Sequence, residues 1–348
     1  MQKDFSLEII AEIIKLYAYQ QPSDLTPNYY YFVFTRTLSE IGANMRLYNR
    51  PFDASQNDFI KMYHFLQQDY VQKQDRFVWL FSRLGDWHFG LYNEKKYIPT
   101  FFSEYAQLWI DNLGELLGFV LSEDGENIFF IFTLQGYEHL YTEILEWTLQ
   151  NWQARYPTLK TEVHEYQESA LAALTRHGFR SLGQVAVTRQ YDVAACAAVS
   201  MALAPGYSIV DKCIKPDYPA KVALHKNAFS NTDEVTWLDI ARTSYSHQSP
   251  AYDAYLDLSV VDGQGKHLAG CVGFVDPQYQ VAEIEKICTH SDYRRQGLAG
   301  AVVCECFRRL AERAIPYAYI TGYSNEANRL YEKLGPRKHK RWYHYELG

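Results

Sequence analysis

One feature constrains this chain more than any other: an apolar strand that runs into a basic, glycine-containing turn and then a long helix. Residues 281–289 form the predicted strand, residues 294–300 (RRQGLAG) the turn, and residues 298–313 a helix with an apolar stripe. Such a turn leaves the first amides of the helix without partners and directs them to one point. The sequence therefore predicts a socket for a pyrophosphate group, and with it a phosphate-bearing cofactor.

Composition limits the remaining possibilities. The chain has 348 residues, which suits two domains of ordinary size, and its net charge of −7 argues against nucleic acid as a partner. Its six cysteines show no paired spacing typical of zinc sites, so we expect reduced thiols and no metal. The first residues lack a signal peptide and no apolar run reaches transmembrane length. We therefore expect a cytoplasmic protein without a membrane partner, and its oligomeric state stays open.

One order of elements occurs twice along the chain, which we interpret as the internal duplication of a mixed α/β unit. In the first copy the strands are predicted at 114–122, 127–134, 159–166 and 184–191, and the helices at 137–155 and 168–177. In the second copy the strands are predicted at 206–210, 256–261, 268–275, 281–289, 317–323 and 341–346, and the helices at 218–229, 298–313 and 326–334.

The repeat indicates the domain boundaries. A helical extension occupies residues 1–40, with a helix at 6–19 and a strand at 29–35, and a further helix is predicted at 55–71. The first domain is expected at 41–192 and the second at 206–348. The alanine-rich segment 193–205, which ends in Pro-Gly, is the predicted linker, and a short helix joining the halves is the alternative.

The second half resembles the acyl-CoA-dependent N-acyltransferase domain of the GNAT family. The family's signature of Arg or Gln, two residues, Gly, one residue, and Gly or Ala is matched by Arg294, Gly297 and Ala299. Downstream, residues 324–335 (SNEANRLYEKLG) are similar to the family's Asn…Ala…Leu-Tyr…Gly-Phe segment. The resemblance covers residues 206–348. It implies an α/β protein with a mixed sheet, built as two tandem acyl-CoA N-acyltransferase folds of which the first is degenerate.

The resemblance also implies a cofactor, acetyl-CoA as acyl donor, and its binding residues. Amides of the turn would surround the pyrophosphate, with charge from two arginines; these residues are Arg294, Arg295, Gln296, Gly297, Leu298, Ala299 and Gly300. The pantetheine arm would bind the strand at Ile287, Cys288 and Thr289, where an amide would hold the thioester carbonyl. Either Asn325 or Asn328 would make a further cofactor contact.

Three side chains are candidates for catalysis. Glu283 and Glu285 share one strand face by alternation, together with Ile287, and either suits a base that acts through water. We slightly favour Glu283, and pairing of both with surface cations is the alternative. Tyr331 matches the family's general acid, with ordinary packing as its alternative.

The first half lacks the features of a cofactor loop. Its corresponding turn has one glycine, Gly136, no arginine, and an acidic residue, Glu138, where phosphate would lie, so a second cofactor is not expected. An aromatic cluster in this half lines either an acceptor cleft or a core: Trp79, Trp87, His88, Phe89, Tyr92 and Trp109. The basic run 337–341 is interpreted as a solvated turn, with contact to phosphates or an acidic substrate as the alternative.

Together these features predict an N-acetyltransferase that moves an acetyl group from acetyl-CoA to a primary amine of a small molecule, peptide or protein. The acidic balance mildly favours cationic amines such as aminoglycosides, polyamines or lysine side chains. A non-catalytic acyl-CoA-binding sensor or interaction protein is one alternative. An aminoacyl-tRNA-dependent peptide ligase is another, which the retained cofactor loop and the negative charge disfavour.

Overall fold

The computed structural model describes residues 46–348. The extension predicted at 1–40, with its helix at 6–19 and strand at 29–35, lies outside the described residues. Within residues 46–348, no helix is long and apolar enough to cross a membrane.

The described residues form a mixed α/β fold built on one continuous sheet. Strands β1 to β12 span, in order, Leu47–Pro51, Ala106–Asp111, Leu116–Leu121, Ile128–Thr133, Leu159–His164, Arg180–Asp192, Ser208–Asp211, Tyr252–Val261, His267–Asp276, Val281–Thr289, Tyr317–Gly322 and Lys338–Leu347. Their order across the sheet is β1-β2-β3-β4-β5-β12-β6-β11-β10-β9-β8-β7. Two pairs of neighbours are parallel, β4 with β5 and β10 with β11, and these two pairs hold corresponding places in the two halves.

Helices flank this sheet. Helices α1 to α10 span, in order, Asp58–Lys73, Phe81–Phe89, Phe101–Tyr105, Leu140–Trp152, Glu168–Arg176, Val193–Ala197, Tyr218–Ser230, Trp237–Ser246, Leu298–Glu312 and Asn325–Lys333. The long predicted helices are confirmed with ends shifted by a few residues, and the segment 193–205 begins with the short helix α6. Helices α2, α3 and α8 were not predicted. For α8 a local signal existed, because Thr236 and Asp239 form a capping box at its start.

The two halves exchange their last strands. Strand β6 ends the first half (46–192) but pairs antiparallel with β11 of the second half (206–348), from Val187↔Gly322 to Asp192↔Tyr317. Strand β12 ends the second half but pairs with β5 of the first half, from Leu159↔Leu347 to His164↔Trp342. Strands β6 and β12 also pair with each other at the centre of the sheet. The halves are therefore joined by main-chain hydrogen bonds as well as by side-chain packing.

The basic run at 337–341 helps to hold β12 in the first half. Lys338 pairs with Asp75 at 2.9 Å, and the buried Lys340 donates a 2.6 Å hydrogen bond to the Phe77 carbonyl. The interpretation of this run as a solvated turn is wrong, because most of it lies in a central strand whose charged side chains meet groups of the other half.

Two hydrophobic cores lie on opposite faces of the second half's sheet. On one face, α9 packs over a core that includes Ala282 and Ile284 of β10. On the other face, the core of the first half continues onto Val272 and Phe274 of β9 and Val281 of β10. Helices α1 and α2 belong to the first half and contribute side chains to its core. The first half therefore covers the face of β10 that carries Glu283 and Glu285.

Candidate active site

The parallel strands β10 and β11 separate partway along their length. They pair at Val281↔Tyr317, Ala282↔Ala318 and Glu283↔Tyr319, and no further pairs follow in the described residues. The rest of β10 still pairs with β9, so its other edge faces the space next to β11. We call this space the strand gap. Unpaired backbone groups along such an edge can hydrogen-bond an extended ligand as a strand would.

A bulge reshapes β10 beside the strand gap. Its register with β9 shifts between Glu285 and Cys288, and Lys286 has a φ of 53°. The extra residue interrupts the alternation of side chains, so Ile287 packs against the core on the α9 side, as Ile284 does. The prediction that Ile287 shares a face with Glu283 and Glu285 is therefore wrong. Periodicity cannot reveal a bulge in a single sequence.

The basic turn at the start of α9 has the geometry of an anion socket. Residues 294–297 are exposed, and Gly297 takes a φ of 80° as the N-cap residue of α9. In the described part of the chain no side chain caps this helix, and a Cβ atom on Gly297 would meet nothing within 4 Å. Helix amides without partners, next to open space and two arginines, fit a pyrophosphate group.

Other predicted cofactor residues lie around the same turn. Leu298 and Gly300 are buried and Ala299 is half-buried in the first turn of α9, and Met201 approaches Gly300 so closely that a side chain there would collide with it. Cys288 is buried and Thr289 half-buried at the end of β10.

In the first half, the corresponding turn around Gly136 is occupied by the side chain of an acidic residue, Glu138. Gly136 has a φ of 88°, and its amide donates hydrogen bonds to both carboxylate oxygens of Glu138, each at 3.0 Å. A phosphate approaching this amide would meet a negative charge. Strands β4 and β5 also separate after two paired positions, Ile128↔Lys160 and Phe129↔Thr161. The first half thus has a gap of the same kind but no anion socket.

The two glutamates of β10 have different surroundings. Glu283 is 8% exposed, and its Oε2 accepts hydrogen bonds from the Ser82 amide at 3.1 Å and from the Ser82 hydroxyl. Burial raises the pKa of Glu283 to about 7, although the bonds from Ser82 lower it. Glu285 is half-buried, and no described residue donates a hydrogen bond to it. Burial raises the pKa of Glu285 to about 8, and the charges of Glu283 and Asp86 add to this increase.

Both halves line the space in front of these carboxylates. This carboxylate cleft has a volume of about 280 Å³ and is bordered by Ser82, Arg83 and Glu123 of the first half and by Glu283, Glu285, Thr321 and Tyr323 of the second. Arg83 pairs with Glu123 at 2.7 Å and lies over the rings of Trp79 and Phe130. Because Arg83 pairs with Glu123 and Lys286 pairs with Asp86, Glu283 and Glu285 are the carboxyl groups of the cleft without an ion-pair partner in the described residues.

Tyr331 lies on the opposite face of the sheet. It is buried in α10 within the core on the α9 side, and its carbonyl accepts a 2.8 Å hydrogen bond from the Tyr191 hydroxyl. Burial raises the pKa of the Tyr331 phenol, and the charge of Glu285 adds to this effect. Nearby, the Asn328 side-chain oxygen accepts a 2.8 Å bond from Arg189, whereas Asn325 is exposed at the start of α10. The strand gap therefore has carboxylates on one face and a phenol on the other.

One part of the site was not predicted from the sequence. Ser82 and Arg83 reach the site from α2, a helix of the first half that was not predicted. The aromatic cluster has divided roles: Trp79 borders the carboxylate cleft and Tyr92 a neighbouring cavity, whereas the other four are core residues, namely Trp87, His88, Phe89 and Trp109. Within residues 46–348, no group of three or more His, Cys, Asp or Glu side chains is placed to hold a metal ion.

Replacing Ser82 by alanine is expected to destabilise the protein more at pH 8 than at pH 5. Alanine removes the hydroxyl bond to Glu283 and keeps the amide bond. The lost bond stabilises the ionised form of Glu283, which predominates only above its pKa of about 7. A hydrogen bond to a buried charge contributes about 1 to 3 kcal/mol, so the free energy of unfolding should fall by that amount at pH 8 and by less at pH 5. Denaturant titrations at both pH values measure the difference. Ser103→Ala, which removes an exposed hydroxyl, is the control; equal losses at both pH values for Ser82→Ala would contradict the assignment.

Comparison with known proteins agrees with this geometry. Residues 224–335 match the family model described as the Acetyltransferase (GNAT) family. The structure is similar to a tandem GNAT protein from the clavulanic acid biosynthesis pathway, with a TM-score of 0.59 and 15% identity over 87% of this chain and 98% of that one. It is also similar to a GCN5-related N-acetyltransferase from Sphaerobacter thermophilus, with a TM-score of 0.55 and 16% identity over 86% and 95% of the two chains. No curated protein matches the chain.

Residues 224–335 of the second half therefore form a GNAT domain, and the chain has the fold of tandem GNAT proteins. Both the resemblance and the α/β fold class expected from the sequence are confirmed. The general activity that goes with this family is acyl transfer from a CoA thioester to an amine.

Proposed function

We propose that the protein is an N-acetyltransferase that uses acetyl-CoA and a primary amine. One observation carries the proposal: the strand gap leads from an uncapped, exposed glycine turn to a half-buried glutamate without a hydrogen-bond donor. The turn suits the pyrophosphate of the donor, and the glutamate suits removal of a proton from the acceptor. The match of residues 224–335 to the acetyltransferase family supports the same chemistry.

The residues of the proposed donor site follow the path of the gap. Residues 294–300 would hold the pyrophosphate, and the edge of β10 at Ile287, Cys288 and Thr289 would hydrogen-bond the pantetheine arm. An amide of that edge would stabilise the negative charge that develops on the thioester oxygen. Because Asn328 already accepts a bond from Arg189, the exposed Asn325 has the freer side chain for a further contact. Acetyl-CoA, when bound, supplies the acetyl thioester.

Glu285 is the proposed general base. Glu283 is held by two hydrogen bonds from Ser82, whereas the Glu285 carboxylate has no donor among the described residues and borders the cleft. A pKa near 8 allows Glu285 to accept a proton and still be partly ionised at neutral pH. This assignment replaces the slight preference for Glu283 drawn from the sequence. Glu283, in its ionised form, then raises the pKa of Glu285.

Tyr331 is the proposed general acid. Glu285, acting through water, takes a proton from the acceptor ammonium, and the neutral nitrogen attacks the thioester carbonyl carbon. The new C–N bond forms, the C–S bond breaks, and Tyr331 gives its proton to the leaving sulfur. After the attack the nitrogen loses a second proton to solvent and keeps the third as the amide N–H; solvent also reprotonates Tyr331 and takes the proton from Glu285. A phenol with a raised pKa stays protonated until the thiolate forms.

Replacing Tyr331 by phenylalanine is expected to lower kcat about 10- to 100-fold while the Kd for acetyl-CoA changes by less than about 2-fold. Only the hydroxyl is lost, so the ring keeps its packing in the core on the α9 side. Steady-state kinetics and calorimetry measure the two quantities. Tyr293→Phe, on the half-buried tyrosine before the turn, provides a comparison. Unchanged turnover in Tyr331→Phe would remove its role as acid.

The proposed function is tested by a screen of primary amines with acetyl-CoA. Release of free thiol and an acetylated product, detected by mass spectrometry, are expected for at least one amine in excess of acetyl-CoA hydrolysis. The panel includes butylamine, phenethylamine, spermidine, an aminoglycoside and a lysine peptide. Tight binding of acetyl-CoA without turnover on any amine would instead identify a sensor, and absence of binding would contradict the donor site.

A further inference from the structure

A second cavity lies beside the carboxylate cleft on the same side of the second half's sheet. It has a volume of about 640 Å³ and lies between helices α7 and α8 and strands β8, β9 and β10. We call it the side cavity. Its apolar walls are formed by Tyr92, Val222, Phe229, Tyr252, Val272 and Phe274. The smaller carboxylate cleft has room for an amine and a short chain, and the side cavity is more than large enough for an aromatic ring.

Strand register places the two spaces next to each other. Phe274 of β9 is the direct partner of Glu283, and Val272 is the partner of Glu285. Side chains of directly paired residues point to the same face, with Cβ atoms about 4.5 to 5.5 Å apart. Asp86 borders both spaces, and its 3.0 Å ion pair with Lys286 lies at their boundary. A molecule whose amine lies at Glu285 can therefore extend into the side cavity past this pair.

The carboxylates of the side cavity already have cationic partners. Lys221 pairs with Asp257 and Lys226 with Asp239, each at 2.8 Å. Arg242 has no carboxylate partner within the described residues; its guanidinium donates a hydrogen bond to the Tyr97 hydroxyl and lies over the Tyr97 ring. A positively charged group entering this cavity would lose its hydration without gaining a free carboxylate, which is costly.

One buried polar atom of the side cavity has neither a hydrogen bond nor an ion pair. The buried Nε2 of His225 makes no hydrogen bond within the described residues. Burial lowers the pKa of His225, so its ring is neutral at physiological pH. The cavity thus offers apolar walls and one neutral hydrogen-bonding atom.

We propose that the side cavity binds an uncharged, mainly apolar part of the acceptor, and that the acceptor is a primary amine bearing an aromatic or branched aliphatic group. This inference rests on the proposed function and names the substrate class of the same site. A polyamine or an aminoglycoside would bring additional positive charges into a cavity whose carboxylates are already paired. The preference for such polycations drawn from the net charge therefore does not extend to this cavity.

The test compares kcat/KM for three amines with acetyl-CoA: phenethylamine, butylamine and spermidine. The kcat/KM for phenethylamine is expected to be about 10- to 100-fold higher than that for butylamine, because the aromatic ring is transferred from water into the apolar cavity. It should exceed spermidine at least about 10-fold. Phe229→Ala removes an exposed ring at the rim and is expected to lower the ratio of phenethylamine to butylamine about 3- to 10-fold. Ile214→Ala, an exposed apolar residue outside the cavity, is the matched control and should keep the wild-type ratio.

The outcomes separate this inference from the proposed function. If no amine is acetylated, the proposed function itself fails. If amines are acetylated but spermidine is preferred, or if Phe229→Ala leaves the phenethylamine-to-butylamine ratio unchanged, the inference is overturned and the function stands. The test also compares kcat/KM for a series of acyl donors from acetyl-CoA to octanoyl-CoA. If the wild type prefers octanoyl-CoA and Phe229→Ala abolishes this preference, the side cavity binds the acyl chain of the donor. That result also overturns the inference.

Discussion

Replacing Gly297 by glutamate is expected to weaken acetyl-CoA binding at least about 100-fold, a loss of roughly 3 kcal/mol or more. The new side chain would start from a point with no neighbour within 4 Å, in the exposed turn where the helix amides converge. Its carboxylate would occupy the place proposed for the pyrophosphate and repel it. Isothermal titration calorimetry of the folded variant measures the effect.

The first half supplies a matched control for this variant. Gly136 has a φ of 88°, close to the 80° of Gly297, and a Cβ there also meets nothing within 4 Å. Gly136→Glu therefore imposes the same backbone strain on the corresponding turn of the other half. We expect it to lower stability to a similar extent and to leave the Kd for acetyl-CoA within about 2-fold of wild type. Unchanged affinity in a folded Gly297→Glu variant would place the donor elsewhere.

Replacing Glu285 by glutamine is expected to lower kcat about 100- to 1,000-fold, within the range for loss of a general base. In the wild type kcat should rise with pH and level off above about 8, because the base must be ionised to accept a proton. The variant should lack this dependence. The measurement is kcat from pH 6 to 10 with the most active amine of the screen.

Glu283→Gln distinguishes the two carboxylates. Removing the neighbouring negative charge should lower the pKa of Glu285 and move the rise in kcat to lower pH, with a loss of at most about 10-fold at pH 8. The amide keeps an oxygen that accepts a bond from Ser82. A larger loss for Glu283→Gln than for Glu285→Gln would reverse the assignment of the base.

Local features of this site could be predicted from the sequence. The turn around Gly297 and the start of α9 depend on residues close together in the chain, and so does the placement of Tyr331 on a short helix. The acidic residue Glu138 is also a local feature, because it lies two positions after Gly136. In the structure its carboxylate accepts hydrogen bonds from the Gly136 amide. Short-range backbone preferences and charge determine such features.

Other parts of the site depend on contacts that the sequence does not mark. Ser82 and Glu283 are 201 positions apart, and they meet because the first half covers one face of the second half's sheet. The exchange of β6 and β12 is invisible to a search for repeated elements, since each strand keeps its place in the chain order. The bulge at Lys286 depends on pairing with β9, and it changes which face Ile287 occupies.

The number of acetyl-CoA molecules bound per chain tests the proposed single donor site most directly. Calorimetric titration of the full-length wild-type protein is expected to give one, bound at the strand gap of the second half. The first half should bind none, because Glu138 occupies its turn. A stoichiometry of two, or no binding at all, would contradict a single donor site in the second half.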